Sequence, residues 1–446
     1  MQMLECELKL VATPTDLGEV KRRLLMLAGR KRAARKTLTS VYYDTVDHEL
    51  KRQGLTLRVR QRNRQYVQTV KSVNASASLP LTRGEWEDAL AGAQPDLHAP
   101  NSGVHLPAAL SEGELRPLFV TTVRRAAIVL RPDATTEIEA AIDDGVIEAA
   151  ESRRTEPICE IELEHKIGDP AAIYDIGLRL LEVAPLRLEM RSKAERGFDL
   201  LEAGGDDPQA THAPPVAIDR EMTVDAVWHK FGGECLAVAL RNEPAALAGI
   251  AEGLHQMRVA IRRLRAVLST LRRMLPGEQS RWVGEELRWL AHALGPARNW
   301  DVFTGTILAS ASSALLSPQD RAALSRAAEC QRLRAHQEAE AAIRSARYTT
   351  ALMRLLRWFA ARDWHDQPVA KHSALLMTPI GTVAPGLIAR RYRKVCEGIK
   401  DFAVLDSEQR HQVRIAVKKL RYTIDLLAPL FPRDAANPGK NSENPR

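Results

Sequence analysis

Ile158-Cys159-Glu160-Ile161-Glu162-Leu163-Glu164 sets acidic residues at every second position, with mostly apolar residues between them. In an extended strand successive side chains point to opposite faces, so Glu160, Glu162 and Glu164 share one face and Ile161 and Leu163 the other. Three carboxylates in a row repel one another unless a cation or a basic strand stands opposite. Leu4-Glu5-Cys6-Glu7-Leu8-Lys9-Leu10 has the same alternation, with Glu5, Glu7 and Lys9 on the polar face. Leu55-Thr56-Leu57-Arg58-Val59-Arg60 places two guanidiniums on a common face, and Glu85/Glu87 and Glu137/Glu139 are further same-face pairs. One solvated face is ordinary in an antiparallel sheet. Here the acidic and basic strands are segregated, as in a cavity holding metal ions and an anion together. A closed barrel with charges inward and apolar residues outward, covered by helices, satisfies that pattern. Hard oxygen ligands suit Mg2+ or Mn2+ and Arg suits bidentate phosphate binding, so metal-assisted phosphoryl chemistry is expected.

Around these strands the chain divides in two. Tyr66–Lys71 also reads as a strand, with helices at Thr15–Ala28 and Pro170–Leu181. The stretch Glu202-Ala-Gly-Gly-Asp-Asp-Pro-Gln-Ala-Thr-His-Ala-Pro-Pro215 has no periodicity and is rich in Gly, Pro and Asp, the composition of a linker. Beyond it the apolar spacing becomes 3 and 4 and the chain reads as all helix. The expected organisation is a sheet domain over 1–203, a linker over 204–219, a helical domain over 220–432 and a disordered tail over 433–446.

Charge follows the same division. The chain of 446 residues has net charge +8, but residues 1–215 hold 29 Lys and Arg against 33 Asp and Glu, and the remainder holds 35 against 23. A balance of +12 in the second half points to a polyanion, whether nucleic acid, anionic membrane or a phosphate polymer. A content of 45% hydrophobic and 27% charged residues excludes collagen-like, wholly disordered and disulfide-scaffold classes. No apolar run approaches a membrane span, and Met1-Gln2-Met3-Leu4-Glu5 is not the start of a secretory signal. Five scattered cysteines fit a reducing compartment, so a cytoplasmic protein is expected.

An internal repeat marks the helical half. His255-Gln-Met-Arg-Val-Ala-Ile-Arg-Arg-Leu-Arg265 matches His411-Gln-Val-Arg-Ile-Ala-Val-Lys-Lys-Leu-Arg421, identical at six of eleven positions and offset by 156. On a helix His255, Arg258, Arg262 and Arg265 form one stripe beside an apolar one, and His411, Arg414, Lys418 and Arg421 repeat it. No acidic residue lies between Leu254 and Leu275, so ion pairs along the helix do not explain the stripe. An anion held between duplicated basic faces does. The helices lack interleaved aromatics for base stacking, which demotes nucleic acid.

At this point the residues resemble two known families. Glu5-Cys6-Glu7-Leu8-Lys9, Tyr42-Tyr43-Asp44-Thr45, Arg58-Val-Arg60, Gln68-Thr69-Val70-Lys71, Arg83-Gly84-Glu85-Trp86-Glu87, Arg124-Arg125, Asp143-Asp144, Glu160-Ile-Glu162 and Ser192-Lys193-Ala-Glu-Arg196-Gly197 follow the order of CYTH domains, the triphosphate tunnel metalloenzymes. The resemblance implies an α+β protein whose N-terminal domain is an eight-stranded antiparallel β-barrel tunnel with flanking helices. It implies Lys9, Arg58, Arg60, Lys71, Arg125 and Lys193 as phosphate-binding residues. Glu5, Glu7, Asp143, Glu160 and Glu162 become metal ligands, with Lys9, Glu5 and Glu7 the catalytic group and Mg2+ or Mn2+ the cofactor. Arg124 competes with Arg125, Asp144 with Asp143, and Glu85 with Glu87 for single roles.

The His-containing repeat, Leu294-Gly295-Pro-Ala-Arg298-Asn299-Trp300-Asp301 and Arg390-Arg391-Tyr392-Arg393-Lys394 are similar to CHAD domains. That resemblance implies two helical bundles binding inorganic polyphosphate through His255, Arg258, Arg262, Arg265, His411, Arg414, Lys418 and Arg421, with the second bundle cut short. Asn299 stands where the family usually has Asp. Together the resemblances imply a metal-dependent hydrolase of inorganic triphosphate joined to a polyphosphate-binding module, with inorganic triphosphate and polyphosphate as partners, no specific nucleic acid and no membrane. Association with polyphosphate granules follows as an expectation; oligomeric state stays open. The alternatives are a thiamine or nucleoside triphosphatase, an adenylyl cyclase of one class, and a non-catalytic polyphosphate-binding protein.

Overall fold

The computed structural model describes residues 3–62, 65–72, 81–108, 110–202, 208–310, 317–366, 372–400 and 402–431; the side chains of residues 3–5, 81–83, 112 and 202 lie outside this description. The disordered tail expected over 433–446 lies outside the described residues. Among the described residues nine antiparallel strands carry the first part of the chain: β1 (Met3–Val11), β2 (Ala34–Asp44), β3 (Leu55–Arg62), β4 (Gln65–Ser72), β5 (Leu81–Leu90), β6 (Arg116–Leu130), β7 (Glu137–Ala149), β8 (Thr155–Ile167) and β9 (Arg187–Leu188). The helices are α1 (Leu17–Leu27), α2 (Glu49–Arg52), α3 (Ala172–Leu181), α4 (Lys193–Glu202), α5 (Val224–Arg241), α6 (Glu243–Leu247), α7 (Ala251–Leu271), α8 (Glu278–Ala293), α9 (Gly295–Val302), α10 (Pro318–Arg344), α11 (Ala346–Ala361), α12 (Ile380–Ile399) and α13 (Ser407–Leu427).

The chain forms two compact units, one of residues 1–209 with 340–361, the other of 210–339 with 362–446. In the first, the strand order is β5-β4-β3-β2-β6-β7-β8-β1-β9, and β5 pairs in addition with β1, from Met3 opposite Glu85 to Glu7 opposite Leu81. The α+β class is as expected. Among the described residues the sheet has nine strands where eight were expected: β5 runs along the first half of one edge of β1, and the two-residue β9 is added along the rest, with Leu188 and Arg187 opposite Leu10 and Val11.

The alternation read in β1 and β8 is the packing pattern observed. Leu8, Leu10, Ile161 and Leu163 are buried on the outer face, where α3 covers them with Ile173, Tyr174, Ile176 and Leu180. Helix α11 packs on α3 in turn: Gly177 leaves room for Met353, and Arg357 Nε donates to Asp175 Oδ1 at 2.8 Å. A second apolar cluster under β3 and β4 gathers Tyr43, Leu50, Leu57, Val59 and Val70.

In the second unit α5 and α13 begin with side-chain caps. Thr223 Oγ1 accepts from the Ala226 N–H, and Asp406 with Gln409 forms a capping box. Both repeat segments are helices of 21 residues, and the 156-residue offset carries Ala251 to Ser407 and Leu271 to Leu427. They pack against each other, and Thr270 and Thr423, almost one repeat apart, meet Oγ to Oγ at 3.0 Å. Among the described residues no helix is long and apolar enough to cross a membrane.

Candidate functional site

The polar face of the strands lines a cavity of about 840 Å³. Among the described residues nine Lys and Arg and six Glu reach it, which no solvated sheet face requires. β1 contributes Glu7 and Lys9, β3 Arg58, Arg60 and Arg62, β4 Lys71, β5 Glu85 and Glu87, β6 Arg125, and β8 Glu162 and Glu164. Cross-strand register explains who meets whom: Lys9 lies opposite Glu162, Arg125 opposite Asp143, Asp143 opposite Glu160, and Lys71 opposite Glu85.

At one wall Asp143, Glu160 and Glu162 each offer an oxygen within 4.8 Å of the others. Lys193, at the start of α4, sets its ammonium among all three, 2.8 Å from Asp143, 2.9 Å from Glu162 and in contact with Glu160. Arg125 bridges Asp143 (2.7 and 2.6 Å) and Glu162. Lys9 Nζ is 2.9 Å from Glu7 and 4.0 Å from Glu162. Burial by itself would raise the Glu162 carboxyl; Lys193, Arg125 and Lys9 outweigh it and hold it well below the usual carboxylate range. Burial likewise opposes the charge on Lys193, and Glu162, Glu160 and Asp143 overcome it and raise that ammonium above an ordinary lysine.

β3 and β4 bring further cations to the cavity. Arg58 is 3.4 Å and Lys71 3.2 Å from Glu85. Arg60 Nε instead donates to a neutral partner, Ser40 Oγ, at 2.9 Å. Burial, and then the neighbouring Arg58, push Arg60 down to about 9. A buried guanidinium destabilised in this way is a place where an anion gains most on binding.

The structure therefore brings Glu7, Lys9, Arg58, Arg60, Lys71, Arg125, Lys193, Asp143, Glu160 and Glu162 to one cavity or its wall. Glu5 lies in β1, but its side chain falls outside the described residues. Arg125 and Asp143 face inward, whereas Arg124 is 75% exposed and pairs with Asp144 at 2.6 Å on the outer face. Glu85 and Glu87 both line the cavity. Sequence reasoning missed Lys36, Arg62, His165 and Lys166 there. Lys36 was open to discovery, since it alternates with Ser40 and Tyr42 along β2. In the Tyr42–Thr45 motif the three leading side chains part company: Tyr42 lines the cavity, Tyr43 joins the outer apolar cluster, and Asp44 accepts from the N–H groups of Thr45, Leu50 and Lys51, fixing the turn into α2.

The helical unit carries two basic cavities. One, of about 600 Å³, takes Arg262 and Arg265 from α7, Arg281 and Arg288 from α8, and Lys418 and Lys419 from α13. The other, of about 660 Å³, takes Arg390, Arg391 and Lys394 from α12, and both share Ser269 and Arg272. His255 and Arg258 are half-buried; His411, Arg414, Lys418 and Arg421 are exposed; Arg262, Arg265 and Lys418 are the predicted residues that line these two cavities. Burial first, then Arg262 and Arg298, push Arg258 down to about 10, and burial, Arg414 and Arg262 lower Lys418. Arg281 and Arg288, two turns apart on α8, carried a helical signal that the stripe argument left unused.

The first unit thus carries a charged cavity lined by both cations and carboxylates, and the helical unit carries basic cavities. Residues 3–198 match the model of the CYTH domain and residues 231–441 that of the CHAD domain, so the chain carries a CYTH domain followed by a CHAD domain. It is similar to an inorganic triphosphatase of Haemophilus influenzae, 30% identical over 161 residues, or 36% of this chain and 45% of that protein. The chain thus spans less than half the length of that curated relative. Among solved structures, the CHAD domain from the plant Ricinus communis is 25% identical, over 51% of this chain and 74% of that one, at a TM-score of 0.42. A putative adenylyl cyclase from Hippeastrum with a dominant triphosphatase activity is 16% identical, over 44% of this chain and 96% of that one, at a TM-score of 0.31.

Proposed function

We propose that the CYTH domain hydrolyses inorganic triphosphate to phosphate and diphosphate with a divalent cation, and that the CHAD domain binds inorganic polyphosphate. The observation that carries the first part is one cavity that gathers Arg58, Arg60 and Lys71, with Arg60 on a neutral partner, and whose lining residue Glu162 belongs to a cluster of three carboxylates. The reading of this cavity as a tunnel rests on the pairing of β5 with β1.

The donor set suits a hard cation. Asp143, Glu160 and Glu162 offer only carboxylate oxygens, and they already hold a cation, the Lys193 ammonium, among them. These three, with Glu7 nearby, are the residues that would hold Mg2+ or Mn2+. Such an ion, when bound, neutralises phosphate charge and lowers the pKa of water. The chain's own groups do the rest. Arg58, Arg60 and Lys71 bind and orient the phosphate chain, and Arg125 and Lys9 bridge from it to the carboxylates. All of them oppose the charge that develops as the terminal P–O bond breaks. An organic triphosphate is disfavoured because Tyr42 is the one Phe, Tyr or Trp among the cavity's described lining residues, which leaves little for a base or thiazole ring to stack on.

Phosphate release from tripolyphosphate, ATP and thiamine triphosphate, with and without Mg2+ or Mn2+, tests the hydrolase reading. Metal-dependent turnover of tripolyphosphate above the other two is expected; inertness of folded protein toward all three would refute it. For the CHAD domain the support is the pair of basic cavities sharing Ser269 and Arg272, and salt-sensitive binding of polyphosphate is the corresponding test.

A further inference from the structure

Two cations from one turn of α4 grip the same carboxylate from opposite sides. Lys193 Nζ takes Oε1 of Glu160, while Arg196 Nη1 donates to Oε2 at 2.9 Å. Their anchoring differs. The Lys193 ammonium is shared with Asp143 and Glu162 and sits at the end of a flexible stem that lines the cavity. Arg196 is 5% exposed and is absent from the cavity lining. Its Nε donates to Glu156 Oε1 at 2.7 Å and its Nη2 to the Pro157 carbonyl at 2.6 Å, so the guanidinium is fixed to β8 at three points. Gly197 then seats α4 on β6 so closely that a Cβ there would overlap the Phe119 ring.

We propose that Arg196 is a positioning residue: it permanently occupies Oε2 of Glu160 and so presents Oε1 alone to a cation shared with Asp143 and Glu162. Lys193 reaches those oxygens through a flexible stem alone, whereas Arg196 would have to give up its bonds to Glu156 and Pro157 as well. Glu160 is 1% exposed, and without Arg196 its Oε2 loses the donor that sets the carboxylate's rotation. The positive charge of Arg196 by itself would weaken cation binding, so the two effects have opposite sign. Loss of an outer partner of a ligand typically weakens binding by about 10–100-fold, and orientation is expected to win. This inference rests on the carboxylates being the divalent-cation site.

Mn2+ binding by the full chain, read as the loss of the free-ion EPR signal, tests it without turnover. Arg196→Met should raise the Mn2+ dissociation constant by about tenfold or more, with the KM for triphosphate at saturating Mn2+ little changed. Arg196→Lys, which keeps the charge but not the fork, should fall between. A merely structural role would lower the unfolding temperature and leave the Mn2+ constant alone. Mn2+ binding by Arg196→Met equal to or tighter than wild type overturns the proposal; if that variant does not fold, wild-type affinity in Arg196→Lys does so. Wild-type protein that binds no Mn2+ overturns it together with the metal site. Wild-type protein that binds Mn2+ but hydrolyses no triphosphate refutes the hydrolase reading alone, and the variants still decide the role of Arg196.

Discussion

Replacing Glu162 by Gln keeps the shape of the side chain and removes one charge from the centre of the carboxylate wall. Three cations feel the change: Lys193 at 2.9 Å, Lys9 at 4.0 Å and Arg125 in direct contact. At an effective dielectric constant of about 20, unit charges about 4 Å apart attract by about 4 kcal/mol, so the gross attraction is on the order of 10 kcal/mol. Most of that is offset by desolvation of a carboxylate that is only 13% exposed. Stranding a buried partner costs about 3–5 kcal/mol, but none of these cations is stranded. Lys193 keeps Asp143 and Glu160, Arg125 keeps Asp143, and Lys9 keeps Glu7. The expected loss is therefore about 2 kcal/mol, below the range for a stranded charge. Hydrogen exchange at the amides of β8 reads it locally, free of the helical unit.

The pH dependence has a definite sign. The folded Glu162 carboxyl lies well below the usual value, so its contribution is fully present above the unfolded pKa of about 4.3 and disappears as pH falls through the lower folded value. The gap between wild type and Glu162→Gln should be equal at about pH 7 and about pH 5.5 and shrink below about pH 4. No gap at neutral pH, or one that widens on acidification, would refute the claim that the three cations hold this carboxylate ionised.

Arg60→Ala should cost the triphosphatase about 10–150-fold in kcat/KM, the worth of one hydrogen bond to a charged group, measured by steady-state phosphate release. Gly197→Ala should lower stability by about 1–3 kcal/mol through overlap with Phe119, seen as a reduced unfolding temperature. Arg258→Ala combined with Arg414→Ala should weaken polyphosphate binding and reduce the salt slope by about two charges; unchanged binding would contradict the duplicated stripe.

Much of the sheet was legible because its strands satisfy two environments at once, and a period of two betrays that in β1, β3 and β8. The position of Lys193 was not legible. It comes from a helix, and only the fold reveals that its ammonium ends among acids 31 to 33 residues earlier on β8. The resemblance assigns it to phosphate; the structure has it line the cavity and touch the carboxylates as well. β2 and β6 were also missed as strands, since Lys36, Ser40 and Arg125 break an apolar pattern that is polar for the sake of the cavity. Helix α11 reads like any other helix of the second half. Its place in the first unit depends on a small residue at Gly177 and an Arg357–Asp175 pair 182 residues apart in sequence, beyond the reach of periodicity. In the helical unit the repeat predicted two equivalent basic faces. The structure makes them unequal, the α7 copy half-buried and the α13 copy exposed, because α8 packs against α7.

The alternation of β8 also bears on how the chain avoids misfolding. A one-residue slip against β1 or β7 would turn Glu160, Glu162 and Glu164 under the apolar cover of α3 and expose Ile161 and Leu163 to the cavity. Each buried, unpaired carboxylate would cost several kcal/mol, so the misregistered pairing is closed off by the residues that line the cavity. Charge reversal or neutralisation along β8, made to alter chemistry, should therefore also loosen the fidelity of strand pairing. Variants with several such changes would be expected to refold to mixed registers before they lose secondary structure.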